Sequence, residues 1–323
     1  MPNGLRTAAA LLCWLALATS TVAAPKVAVS IKPVHALVAG VMDGSGTPDL
    51  VIPGSASPHA YALRPSEARL LANADLVFWV GPTLEVVLSS PITALAGKAR
   101  VVRLIDEPGL RQWPIRTGRE WPAHNDYHGH GHDHHHGHAQ PKNGGGIDPH
   151  IWLDPHNAKL ITRTAARVLA EIDPVNAARY RANSERQLAA LDALTGRIGG
   201  ILEPVKNRPF LVFHDAYQYF ERRFALSAAG AIAISPDRQP GPRQISRLRK
   251  VIRAKSVRCL FMEPQFPPRI AAVVAAGTGI RTDTLDPLGA ALTAGPGLYA
   301  TLLENMAGTL SDCLSQKAGV SRR

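Results

Sequence analysis

Short apolar runs alternate with longer stretches of helical periodicity along most of the chain. In the first section, residues 26–31 (KVAVSI), 50–52 (LVI), 76–80 (LVFWV) and 99–104 (ARVVRL) predict strands. Between them, 35–42, 65–73 and 84–95 predict helices, the second with Pro65 at its first position, where a missing N–H costs nothing. Residues 154–172 place Leu160, Ile161, Ala165, Val168 and Leu169 near one helical face. After Asp173-Pro174, residues 176–202 read as one helix, ~40 Å long at 1.5 Å per residue, with Leu188, Leu191, Leu194 and Ile198 at helical spacing.

The second section repeats the first. Residues 209–213 (PFLVF), 229–234, 257–262 (VRCLFM) and 282–285 predict strands. Helices are expected up to Phe224, over 244–255 (basic and amphipathic), over 268–276 and over 298–315. Strands alternating with helices imply βα units and parallel sheets. The expected fold is α/β, two four-stranded parallel βα domains joined by one long helix. Residues 25–175 form the N-terminal domain, 176–203 the linking helix and 204–323 the C-terminal domain.

Residues 1–24 depart from this pattern and read as a secretory signal peptide. Arg6 supplies the positive start, residues 8–18 an apolar stretch too short to span a bilayer, and Val22-Ala23-Ala24 a small-residue cleavage site. Cys13 lies inside that apolar stretch and leaves with it, so the mature chain holds Cys259 and Cys313. An even pair in an exported protein reads as a disulfide, worth ~4 kcal/mol for a loop of that size. The net charge is +11 over 323 residues, but Lys and Arg are scattered without interleaved aromatics, which argues against nucleic acid as a partner.

Candidate chemistry centres on histidine. Eight of the thirteen histidines lie in residues 124–138: His124, His128, His130, His132, His134, His135, His136 and His138. Interleaved with Gly and Asp, this tract cannot bury a core and reads first as an accessory metal loop, with a solvated linker and a second high-affinity site as the alternatives. Neutral imidazole suits Zn, Cu, Ni and Fe better than Ca or Mg. Three further histidines stand in anchored positions. His59 follows the second strand, His150 sits in the apolar turn after the tract, and His214 follows the first strand of the second section. Asp286 ends the last strand. Ligands of parallel sheets bind beyond the carboxyl ends of strands. A cleft between the sections would therefore gather three nitrogens and one oxygen, a tetrahedral set that suits Zn²⁺. His35, on the first helix, and His156, at a helix start, are expected to be structural.

These motifs carry a resemblance to a family. Residues 59–66 (HAYALRPS), the histidine tract, 150–155 (HIWLDP), 213–217 (FHDAY), 262–266 (MEPQF), 285–289 (LDPLG) and the Cys259/Cys313 pair resemble the zinc-specific periplasmic solute-binding proteins of bacterial ABC importers. The resemblance implies a periplasmic, monomeric receptor that holds Zn²⁺ through His59, His150 and His214, with Asp286 or a water as fourth ligand. It also implies partners, a membrane permease and its ATPase. The manganese-specific relatives tend to carry glutamate at the position of His214, so a third nitrogen implies a preference for zinc.

Two rival readings remain at this level. Three histidines and a water also make a catalytic zinc site, for which Glu263 is the nearest candidate base of a hydrolase or hydratase. However, no H-E-x-x-H or nucleophile elbow occurs, and the expectation is that the protein is not an enzyme. The other rival is a metal chaperone or buffer working through the tract alone.

Overall fold

A strand buried on both faces needs a continuous apolar run, and the runs at Val27–Val29, Leu76–Trp79, Phe210–Val212 and Cys259–Met262 become the inner strands. The computed structural model of the protein describes residues 24–118, 121, 146–233 and 240–315; residues 1–23 of the expected signal peptide and the tract 124–138 lie outside the described residues. The first half contains β1 (Val27–Val29), β2 (Asp49–Leu50), β3 (Leu76–Trp79) and β4 (Arg100–Arg103). With them come α1 (Lys32–Met42), α2 (Pro65–Asn73), α3 (Ser89–Leu95) and α4 (Pro155–Ile172). The helix α5 (Ala177–Leu202) leads into the second half. That half contains β5 (Phe210–Val212), β6 (Ala228–Ala231), β7 (Cys259–Met262) and β8 (Arg281–Thr284). Its helices are α6 (Gln218–Phe224), α7 (Pro242–Ala254), α8 (Arg269–Ala275) and α9 (Leu298–Ser315).

The strands form two four-stranded parallel sheets, ordered β2-β1-β3-β4 and β6-β5-β7-β8. In each, the chain leaves the first strand to one side and then crosses to the other. This places a topological switch point at the carboxyl ends of β1 and β3 in one sheet and of β5 and β7 in the other.

The expected helix over 84–95 is divided. A 3₁₀ turn (Val86–Leu88) precedes α3 (Ser89–Leu95). Pro91 explains the division: lacking an N–H and clashing with the preceding turn, it is tolerated only in the first turn of a helix. The strand β2 is shorter than its apolar run, because Val51 and Ile52 turn away after hydrogen-bonding Val29 and Ser30.

One buried cluster crosses both halves. It includes Val29 and Phe78 from the first sheet, Leu37, Ile161 and Leu194 from α1, α4 and α5, and Phe210, Phe261 and Leu310 from the second half. The long helix α5 is therefore an internal spine, with Leu188, Leu191, Leu194, Ile198 and Leu202 buried. Its start is fixed by Asp173, which accepts hydrogen bonds from the Tyr180 hydroxyl at 2.7 Å and the Asn176 amide side chain at 2.8 Å. Cys259 opens β7 and is joined to Cys313 in the last turn of α9, as the cysteine count leads one to expect. Smaller apolar clusters cover the outer face of each sheet.

Polar contacts reinforce the junction of the halves. The Lys32 ammonium donates to the carbonyls of Gly289, Ala290 and Leu292 at 2.7–3.1 Å. The Tyr299 hydroxyl donates to the Trp152 carbonyl at 2.7 Å. Arg116 reaches from the first half to Asp215 and Glu221 of the second, with bonds of 2.8–3.0 Å to the two carboxylates, and Trp121 covers its guanidinium at 3.6 Å.

Candidate metal centre

Three imidazoles converge between the halves. His59 sits in the 3₁₀ turn Pro58–Ala60 of the first half. His150 immediately precedes the 3₁₀ turn Ile151–Leu153, whose three apolar side chains are fully buried. His214 comes two residues after β5 ends, at the switch point of the second sheet. The Nε2 atom of His150 lies 3.4 Å from that of His59 and 3.3 Å from that of His214. All three offer a ligand atom within 4.8 Å of the others, the only such group among the described residues.

These separations match an ion at the centre. Zn–N bonds of ~2.0–2.1 Å at tetrahedral angles put neighbouring nitrogens about 3.3–3.4 Å apart. Two of the rings are aimed by carboxylates. The Nδ1–H of His150 donates to Asp148 at 2.7 Å, and that of His214 donates to Glu263 at 2.6 Å. Each contact fixes the tautomer and leaves the Nε2 lone pair facing the other rings.

The carboxylates are themselves held. Asp148 accepts from the backbone N–H of His150 at 3.0 Å and from the Gln218 side chain at 3.1 Å, so α6 of the second half fixes a ligand support of the first. Burial pushes the Asp148 carboxyl up to about 6, against the pull of those hydrogen bonds and of Arg116. Burial draws the His214 imidazole down, but the carboxylates of Glu263, Asp215 and Asp148 together outweigh it and the net shift is upward. Trp152 and Phe266 wall the site, with ring centroids 5.4 Å from His150 and 6.0 Å from His214. Trp152 is pinned by its indole N–H donating to Pro287 at 2.9 Å. The remaining cavity is about 10 Å³, on the order of one water.

The structure thus brings together His59, His150 and His214 and does not bring Asp286 to them. The Asp286 carboxylate instead accepts from the backbone N–H groups of Leu288, Gly289 and Ala290 at 2.5–3.1 Å, which fixes the turn leaving β8. Glu263 is buried, bonded to His214 and part of the lining of the site. Asp148 was not singled out by sequence, although its place two residues before His150 was a signal. His35 is buried in α1, its Nε2 2.9 Å from the Pro48 carbonyl, and burial lowers its pKa. His156 stands at the start of α4, away from the cluster.

Residues 27–313 match the family described as ZnuA, zinc-uptake complex component A, periplasmic. The chain is 44% identical over 306 residues to the high-affinity zinc uptake system protein ZnuA of Brucella suis, covering 90% of this chain and 92% of that one. The protein of the same description from Yersinia pestis is 34% identical over 299 residues, with 90% and 92% covered. Among solved structures, a ZnuA deletion mutant with zinc bound superposes with a TM-score of 0.74 at 25% identity, covering 91% of this chain and 99% of that one.

Proposed function

This chain belongs to the family of periplasmic ZnuA components of zinc-uptake complexes, and from the site we propose how it holds its ion. It is a zinc-specific solute-binding protein of an ABC-type uptake system, with Zn²⁺ as cargo. In our reading His59, His150 and His214 ligate the ion through Nε2, and a water fills the fourth position. Nitrogen spacing carries this reading, since 3.3 and 3.4 Å are tetrahedral edges around Zn²⁺. The receptor is exported by way of residues 1–24, acts as a monomer, and passes the ion to a permease driven by an ATPase. Residues 25–175 and 204–323 act as two lobes on the spine 176–203. Because one apolar core crosses both lobes, release proceeds by small shifts of the ligand turns and not by wide opening.

Titration of metal-free protein with Zn²⁺ and Mn²⁺ tests the ligand set. His214→Glu is expected to lower the preference for zinc over manganese, and an unchanged ratio counts against the assignment. Deleting residues 124–138, proposed as an accessory loop, should leave one tight zinc site and remove weaker binding. Loss of the tight site would instead support a chaperone acting through the tract.

A second reading, zinc-dependent hydrolysis or hydration, is disfavoured by the cavity of about 10 Å³ and by Glu263 being committed to His214. We propose that the protein performs no turnover. Hydratase or esterase activity of the zinc-loaded protein that disappears in His59→Ala would overturn this.

A further inference from the structure

The solvent face of α7 is built of cations. At 3.6 residues per turn, Leu248 and Ile252 fall on the buried side, and Arg243, Ser246, Arg247, Lys250 and Arg253 fall on the exposed side. Between Arg243 and Arg258 the chain carries seven Lys or Arg and no Asp or Glu. Those sixteen residues hold seven of the eleven positive charges by which Lys and Arg (36) exceed Asp and Glu (25).

Elsewhere the surface interleaves opposite charges: Arg167 pairs with Glu107 and Glu171, Lys159 with Asp192, and Arg197 with Glu304. On α7, by contrast, like charges recur at i, i+3 and i, i+4, a spacing that destabilises a helix. Among the described residues, Arg243, Lys250 and Arg253 join no salt bridge. Helix stability therefore does not account for this face.

Its placement is also informative. As the crossover between the parallel strands β6 and β7, α7 runs back along the sheet. Its first turns, with Arg243 and Arg247, thus lie at the sheet end that carries His214 and Glu263. At its margin stands Val273 of α8, 47% exposed, whose carbonyl accepts from Arg249 at 2.6 Å.

We propose that this face docks the protein on anionic phospholipid headgroups at a membrane surface. A bilayer fits better than an acidic protein. The cations are spread over three turns of a convex helix on long, exposed side chains, which suits laterally mobile phosphates. The apolar side of α7 is committed to the core, so attachment is electrostatic and reversible, with Val273 an exposed apolar group at its edge. Such docking holds the receptor, site end included, in the layer beside the membrane. It goes beyond the zinc-receptor reading and does not depend on the ion.

Co-sedimentation of the mature chain, metal-free and zinc-loaded, with phosphatidylcholine vesicles with and without phosphatidylglycerol tests it. Binding is expected only with phosphatidylglycerol and should weaken as salt shortens the Debye length. Each neutralised cation should reduce it about fivefold, so R243Q/K250Q/R253Q loses on the order of a hundredfold. R243K/R253K should retain it, and all three forms should keep their zinc titration. Equal binding to neutral vesicles, no binding to either, or an unaffected triple variant overturns the proposal. So does binding by the triple-sensitive face to permease in neutral-lipid proteoliposomes alone, which would assign the face to an acidic protein.

Discussion

Glu263 Oε1 lies 2.6 Å from Nδ1 of His214, joining the end of β7 to a proposed ligand just past the end of β5. The carboxylate holds the ring in the tautomer that presents Nε2 and raises its basicity. Loss of a partner of this kind commonly weakens metal affinity by about 10–100-fold. Glu263→Ala is therefore expected to weaken zinc binding within that range while leaving one site per chain. Competition against a chromophoric chelator measures it.

Arg116 is the reciprocal case, a buried cation whose removal strands two acids. Its guanidinium pairs with Asp215 and Glu221, both nearly inaccessible to water. Burial alone lowers an arginine, yet these two carboxylates raise it above its ordinary value. Breaking a buried pair by deleting one member costs about 3–5 kcal/mol. Arg116→Ala should lower the unfolding free energy by that amount in denaturant titrations, and zinc should recover part of it by binding the native state.

Glu85 gives the fold a pH dependence remote from the ligands. It is fully buried and accepts from the Ser30 hydroxyl at 2.5 Å and from the N–H groups of Val80 and Gly81 at 3.2 and 2.9 Å. Burial pushes its carboxyl from 4.5 up to about 7, and those hydrogen bonds offset only part of the rise. The folded state thus keeps a proton that the unfolded chain has lost. Its contribution is fully present below about 4.5 and disappears as pH rises through about 7, a change of ~3 kcal/mol. Between about pH 4.5 and 8, the stability of metal-free wild type should fall relative to Glu85→Gln by that order. Parallel unfolding curves check the sign.

Cys259 and Cys313 close a loop with a sequence separation of 54. Replacing both with serine should cost ~4 kcal/mol of stability on the chain-entropy account. Neither sulfur reaches the three histidines, so zinc affinity should change little. Reduced wild type and the double variant should unfold at the same denaturant concentration.

Much of this architecture was legible because the code is local. Runs such as 76–80 and 209–213 have only one stable place, the interior of a parallel sheet, and Pro or Gly marks their ends. The anchored histidines were legible for the same reason: strand ends and apolar turns fix backbone position. Side-chain direction is different. Asp286 lies two residues past the end of β8, and three backbone N–H groups of the turn it opens capture its oxygens. The Glu263–His214 bond spans 49 residues and the Gln218–Asp148 bond 70, distances over which no pattern signals contact. Likewise, separate apolar patterns in the two halves gave no sign that their inner faces would merge into one core.

The small volume between the imidazoles has a consequence for discrimination. A space of about 10 Å³ takes an ion with about one water, the proposed fourth ligand, and not a full hydration shell. Mg²⁺ gives up its waters reluctantly and demands six oxygens at octahedral positions. Three imidazole nitrogens and one water offer it neither, so Mg²⁺ is expected to bind far more weakly than Zn²⁺. On the proposed ligand set, the ease with which an ion sheds water should count in selection alongside the softness of nitrogen.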